Sequence, residues 1–263
     1  MTLYHVQYRS EALGGEGEFG VFLPEGWRQA ERLKLLYLLH GAFSEYRSSL
    51  LFSSIARLCD GRNMAIVAPS SHLGVYCDME HGENGYSMVK EVLDTSARMF
   101  PVLPRSAEST FLLGISMGGY GAFRLAMEFP ARFSAVAACS SPVDIVATME
   151  MLEGGRHFGG AELFHTFGSA ARCRGTGRDV ISSARSHVER GDPLPRLLLC
   201  WGDQDHAKPE DLAAAEKLRQ AGIPLTTRVG KGSHNFDMWD PLLPGIMDWM
   251  LEGQEGGETD GVH

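Results

Sequence analysis

Hydrophobic positions along the chain come in two rhythms. The first is brief: Leu3–Tyr8 and Phe19–Leu23 alternate apolar and polar residues about Gly14-Gly15, which predicts an antiparallel hairpin. Short apolar runs then alternate with longer stretches of helical spacing. The runs are Leu35–Leu39, Ala65–Ala68, Phe111–Ile115, Ala135–Ala138, Leu197–Cys200 and the less apolar Leu225–Val229. Bounded by turn residues, they read as buried strands. The helices predicted between and after them cover Ser49–Cys59, Ser87–Phe100, Gly118–Glu128, Glu210–Gln220 and Pro244–Leu251. Strand–helix alternation of this kind specifies an α/β fold, a mostly parallel sheet with helices on both faces and the hairpin as its antiparallel margin.

One stretch departs from the rhythm. Residues 143–192 are too long for an ordinary connection and carry Gly154-Gly155, Gly159-Gly160 and Gly175-Thr176-Gly177. They are expected to form a partly helical, mobile insertion over the carboxyl edge of the sheet, either a lid or a surface elaboration. Residues 1–252 are expected to make one domain, and the acidic, Gly-rich tail 253–263 to be disordered.

The strand-to-helix junction at Gly114-Ile115-Ser116-Met117-Gly118-Gly119 is the strongest chemical signal. G-x-S-x-G between a buried strand and a helix is the context of a nucleophile elbow, in which a sharp turn holds the serine hydroxyl clear of the sheet at a helix N-terminus. Ser116 is therefore the candidate nucleophile. The loop after the third strand, His40-Gly41-Ala42-Phe43, is placed to supply one oxyanion donor, and the residue after the serine the other. The expected donors are the N–H groups of Ala42, with Phe43 in reserve, and of Met117. His40 precedes the serine, the wrong order for a base in this arrangement, and is read as shaping the loop.

His234 lies in the glycine-rich loop Gly230-Lys231-Gly232-Ser233-His234 after the last strand, and alone of the ten histidines combines the required chain order with such a loop. The acid should follow the strand Leu197–Cys200, where Asp203 and Asp205 compete in Trp201-Gly202-Asp203-Gln204-Asp205-His206. Asp205 is favoured, with Asp203 structuring the loop. Asp203, Asp205 and His206 also invite a metal reading, but no ligand motif such as H-E-x-x-H supports it, so neither metal nor cofactor is expected. Phe43, Met79 and Trp239, with Met117 and Phe236, are candidates to line a substrate pocket.

Charge and composition narrow the partners. The formal net charge of −9 comes without a basic run, which argues against nucleic acid or an anionic membrane as partner. The five cysteines, an odd number with no C-x-x-C spacing, fit free thiols in a reducing compartment. The first fifteen residues lack a basic patch followed by an apolar run, and no segment has the roughly 18 apolar residues of a membrane span, so a cytoplasmic location is expected.

Taken together, these motifs resemble the esterase family of the α/β-hydrolase superfamily that includes esterase D (S-formylglutathione hydrolase), tributyrin esterases, feruloyl esterases and mycolyltransferases. The resemblance runs from about Tyr37 to Trp239. It is most specific at Gly114–Ala122, Phe129-Pro130 and Phe133-Ser134-Ala135, and extends to Tyr37-Leu38-Leu39-His40-Gly41, Tyr76-Cys77-Asp78-Met79, Gly202-Asp203-Gln204-Asp205 and Gly232-Ser233-His234. It implies an α/β-hydrolase fold and a serine carboxylesterase acting on small, short-chain acyl esters, similar to tributyrin or acetyl esterases. The family's acid occupies the last place of G-x-x-D, which here is Asp205. His40-Gly41-Ala42 stands where S-formylglutathione hydrolases carry Ser-Gly-Leu-Thr-Cys, a departure that counts against formylglutathione as substrate; its hydrolysis and acyl transfer, both using the same triad, are the alternatives. Peptide or lactone cleavage and a catalytically silent binding protein are the remaining rivals. Relatives of this kind also imply a homo-oligomer, dimer or tetramer.

Overall fold

The computed structural model of the chain describes residues 2–29, 33–71, 75–155 and 160–252; the 253–263 tail, expected to be disordered, lies outside them. The hairpin is formed by β1 (Thr2–Ser10) and β2 (Gly15–Leu23), paired antiparallel from Thr2↔Leu23 to Ser10↔Gly15. β3 (Lys34–Leu39) and β4 (Met64–Pro69) follow, with two short helices between them, α1 (Tyr46–Phe52) and α2 (Ile55–Asp60). One continuous helix over Ser49–Cys59 is not formed. The break falls at Ser53-Ser54, where Ser54 donates both its N–H and its hydroxyl to Asp240 Oδ1 at 2.5 and 2.7 Å, a local alternative to helical pairing.

Next come α3 (Gly85–Met99), β5 (Thr110–Ile115), α4 (Met117–Glu128) and β6 (Ala135–Cys139). The described residues of the long 143–192 stretch form four helices: α5 (Ile145–Glu153), α6 (Gly160–Phe167), α7 (Ala170–Cys173) and α8 (Val180–Arg190). Asp144, Ser169 and Asp179 cap α5, α7 and α8 with side-chain oxygens, signals that are easily missed among glycines. β7 (Arg196–Gly202), α9 (Lys208–Gln220), β8 (Leu225–Gly230) and α10 (Phe236–Leu251) complete the described residues. α10 begins eight residues before the predicted Pro244, because the Asn235 side chain accepts from Met238 N and starts the helix upstream of its prolines.

The eight strands form one sheet in the order β1-β2-β4-β3-β5-β6-β7-β8, parallel from β4 onward. The apolar runs are continuous because both faces are covered. Leu35, Tyr37, Leu39 and Leu112 point into one core with residues of α3, α4, α8 and α9. Leu36, Leu38, Phe111, Leu113 and Ile115 point into the other, against α1, α2 and α10. This sandwich fixes the strand ends, and the loops leaving the carboxyl ends of β3, β5, β6, β7 and β8 converge at one edge. No helix among the described residues is long and apolar enough to cross a membrane.

Candidate active site

Ser116 sits between β5 and α4 with φ 55° and ψ −124°, a left-handed backbone that a serine holds only when its surroundings impose it. Two contacts do so. Its N–H donates to Cys139 O on β6 at 2.7 Å, and Gly119 N donates back to Ser116 O at 2.9 Å. The flanking glycines let backbone meet backbone. A Cβ on Gly114 would lie 2.0 Å from Gly118 O, and one on Gly118 would lie 2.2 Å from Leu39 O. Among the described residues, five non-glycines have positive φ, and Phe43, Tyr76, Ser116 and Ser140 of these belong to the loops around this edge. Strain is thus concentrated where the strands end.

Ser116 Oγ lies 2.9 Å from His234 Nε2. His234 Nδ1 lies 3.0 and 3.3 Å from the two carboxylate oxygens of Asp205. Asp205 is buried and also accepts from Ala207 N at 2.9 Å. Of the two competing aspartates, Asp203 faces the other way. It accepts from Gly232 N at 2.8 Å, while Asp203 N and Gln204 N donate to Gly230 O and Gly232 O. Asp203 therefore ties the loop bearing Asp205 to the loop bearing His234.

The Asp205 carboxylate has further support that the sequence did not announce. Burial pushes its pKa up, but the Ser140 hydroxyl, Ala207 N–H and the nearby His234 outweigh burial and hold it below the usual carboxylate value. Ser140 Oγ in turn accepts from Trp239 Nε1 at 2.9 Å. Trp239, expected as a pocket residue, lines the cavity and also stands edge-on to the His234 ring, with centroids 5.0 Å apart. A serine after an apolar strand carries no distinguishing signal; only the pairing of β6 with β7 brings it to Asp205. For His234, burial lowers the pKa and exceeds the opposing pull of Asp205, so the imidazole is neutral at neutral pH. Neutral, and with Nδ1–H turned to the carboxylate, it presents Nε2 as an acceptor to the serine.

His40 is buried and pinned. Its Nδ1 donates to Gly41 O at 2.7 Å, its Nε2 accepts from Ser71 N at 2.9 Å, and its carbonyl accepts from Tyr76 Oη at 2.8 Å. This fixes the loop that carries Ala42. Met117 is the first residue of α4, so its N–H belongs to the helical turn without intrahelical acceptors. Ala42, Phe43, Ser116, Met117 and His234 all border one cavity of about 440 Å³.

The cavity wall is largely apolar, with Ser140, His206 and Glu210 among its polar members, and the 143–192 stretch contributes Thr148, Met151, Leu152 and Leu163 to it from α5 and α6. Phe43 stands at the rim, 68% exposed. Met79 does not reach the cavity, contrary to the sequence expectation. Its loop folds back on α3, with Met79 N donating to Glu83 O and Asp78 accepting from Ser87 N and Ser87 Oγ, and its side chain covers Gly82. All five cysteines are buried and none forms a disulfide.

Known proteins share this architecture. An acetyl esterase of Caldicellulosiruptor saccharolyticus is 27% identical over 225 residues, 84% of each chain. The solved structure of a fluorophosphonate-binding serine hydrolase, FphF of Staphylococcus aureus, superposes with a TM-score of 0.84 at 24% identity, over 95% of this chain and 98% of that one. An S-formylglutathione hydrolase of the same organism superposes with a TM-score of 0.82 at 24% identity, over 96% of this chain and all of the other. These two likenesses establish the α/β-hydrolase-like fold. The profile of the family described as "Putative esterase" matches residues 10–250, nearly the whole chain, and the protein belongs to that family.

Proposed function

We propose that this esterase cleaves small carboxylic esters by two-step acyl transfer through Ser116, His234 and Asp205. The observation that carries the reading is the unbroken contact from Asp205 to His234 to Ser116 Oγ at the wall of an apolar cavity. Ser116 Oγ attacks the ester carbonyl as His234 Nε2 takes its proton. Asp205 holds the ring in the Nδ1–H tautomer and stabilises the imidazolium. The oxyanion is received by the N–H groups of Ala42 and Met117, at the positive end of α4. His234 returns the proton to the departing alcohol, leaving an acyl-serine. Water then attacks, again losing its proton to His234, and the carboxylic acid is released. A cavity of about 440 Å³ with a mainly apolar lining suits a short acyl chain, as does the likeness to an acetyl esterase.

The test is hydrolysis of p-nitrophenyl acetate and butyrate by the wild type and Ser116→Ala, with matched thermal melts. Wild-type turnover that drops at least about 10⁴-fold in the variant supports the reading. Equal turnover in both removes Ser116 from the mechanism.

A further inference from the structure

Next to the proposed triad lies a group that ester hydrolysis does not use. His206, immediately after the acid, places its ring 4.5 Å from the ring of His234, centroid to centroid. Its Nδ1 is 3.8 Å from Asp205 Oδ1, the same oxygen that lies 3.0 Å from His234 Nδ1. One donor atom from each of the three residues falls within 4.8 Å of the others. In sequence only Asp205 and His206 are neighbours; the fold adds the third donor from the loop after β8.

We propose that Asp205, His206 and His234 form an inhibitory site for a zinc-like divalent cation. Two imidazoles and a carboxylate are the donor set such ions prefer, whereas magnesium demands oxygen. Around a tetrahedral ion with bonds of about 2.0–2.2 Å, donors stand about 3.3–3.6 Å apart. The two pairs that include Asp205 Oδ1, at 3.0 and 3.8 Å, bracket that spacing, and the two imidazole donors lie within 4.8 Å of each other, so the rings must draw together around an ion. The His206 side chain is 46% exposed, which gives an ion its way in. Asp205 Oδ1 keeps its bond from Ala207 N.

Inhibition follows from proton bookkeeping and rests on His234 being the general base. A cation on Nδ1 takes the lone pair that ring nitrogen acquires when its proton leaves. The neutral imidazole then carries its one proton on Nε2, the atom facing Ser116. An Nε2–H cannot accept the serine proton, so acylation stops. No bond to substrate is made or broken, and removing the ion restores the Nδ1–H tautomer.

Calorimetric titration of the whole protein with zinc chloride tests the site independently of turnover. The expected result is one zinc per chain, with affinity at least about tenfold weaker in His206→Gln, in a second variant His206→Asn and in His234→Gln, and no heat from magnesium. In parallel, hydrolysis by each protein with zinc, divided by its own rate in chelator, should fall for the wild type, return on adding chelator, and stay near one for the His206 variants. Unchanged zinc affinity in both His206 variants, equal binding of magnesium, or no binding up to about 1 mM overturns the site. Zinc bound as described with hydrolysis intact overturns the inhibition. If the esterase reading itself fails, the calorimetry still reads the site, so the two failures are distinguishable.

Discussion

The Ser116 turn and the helices α5 and α6 face the same cavity but are built on opposite principles. At the elbow, geometry comes from backbone: β5 is clamped between β3 and β6, Ser116 N is held by Cys139 O, and Gly114 and Gly118 allow carbonyl contacts that no side chain would permit. In α5 and α6, the contribution to the cavity is side-chain surface: Thr148, Met151, Leu152 and Leu163 present bulk on helices with side-chain caps at some of their ends. Backbone-built geometry tolerates almost no substitution, whereas a wall of apolar side chains accepts many. Chemistry and selectivity should therefore respond to different mutations.

The sharpest division runs through the acid loop, between two aspartates two residues apart. Asp205→Asn replaces the acceptor that fixes the His234 tautomer, and kcat should fall by about 10⁴-fold. Asp203→Asn keeps an oxygen for Gly232 N and should change kcat by less than about threefold. Steady-state kinetics on p-nitrophenyl acetate, with melts as control, checks both; a larger loss in Asp203→Asn would reverse the assignment.

The support behind Asp205 should give a smaller, diagnostic effect. Ser140→Ala removes one hydrogen bond to a charged acceptor and should cost about tenfold in kcat. Trp239→Phe keeps an aromatic ring beside His234 but removes the Nε1 donor to Ser140 and some ring surface, and should cost less. In a double-mutant cycle the Trp239→Phe effect should largely vanish in the Ser140→Ala background, since it acts through that hydroxyl. Additive losses would mean that Trp239 acts only by packing.

The pH profile sharpens the electrostatic half. Burial lowers the His234 pKa from 6.5, so the base form is present at neutral pH and is lost as pH falls through that lowered value. The acid limb of kcat/KM should have its midpoint below 6.5. A midpoint above 6.5 would mean that Asp205, rather than burial, dominates the environment of the ring.

The cavity wall should show the smallest effect on chemistry and the clearest on selectivity. Leu163→Ala and Met151→Ala should leave acetyl ester turnover within about threefold while raising the ratio of octanoyl to acetyl kcat/KM by about tenfold, as one or two methylene-sized contacts are exchanged. An equal change for both esters would place these side chains outside acyl selection.

The same contrast explains what the sequence discloses. The strands, the hairpin, the tight strand-to-helix turn at Ser116 and the proposed order Ser116, Asp205, His234 are legible because each rests on local pattern or on the fixed order of strand-end loops. The split of α1 from α2 is not, since it depends on Asp240 reaching back from α10. Nor are the role of Ser140, the absence of Met79 from the cavity, or the meeting of His206 with His234. Each depends on which strands become neighbours or on how a loop folds back, and neither periodicity nor composition encodes that.

The central claim is that Ser116 is made nucleophilic by His234 and Asp205, and covalent labelling tests it most directly. Folded wild-type protein treated with a fluorophosphonate should gain one adduct by intact mass, mapped to Ser116 by peptide digestion. Asp205→Asn should label far more slowly, and heat-denatured protein not at all. Absence of an adduct on Ser116 in folded protein, or labelling at another residue that survives Ser116→Ala, would contradict the account.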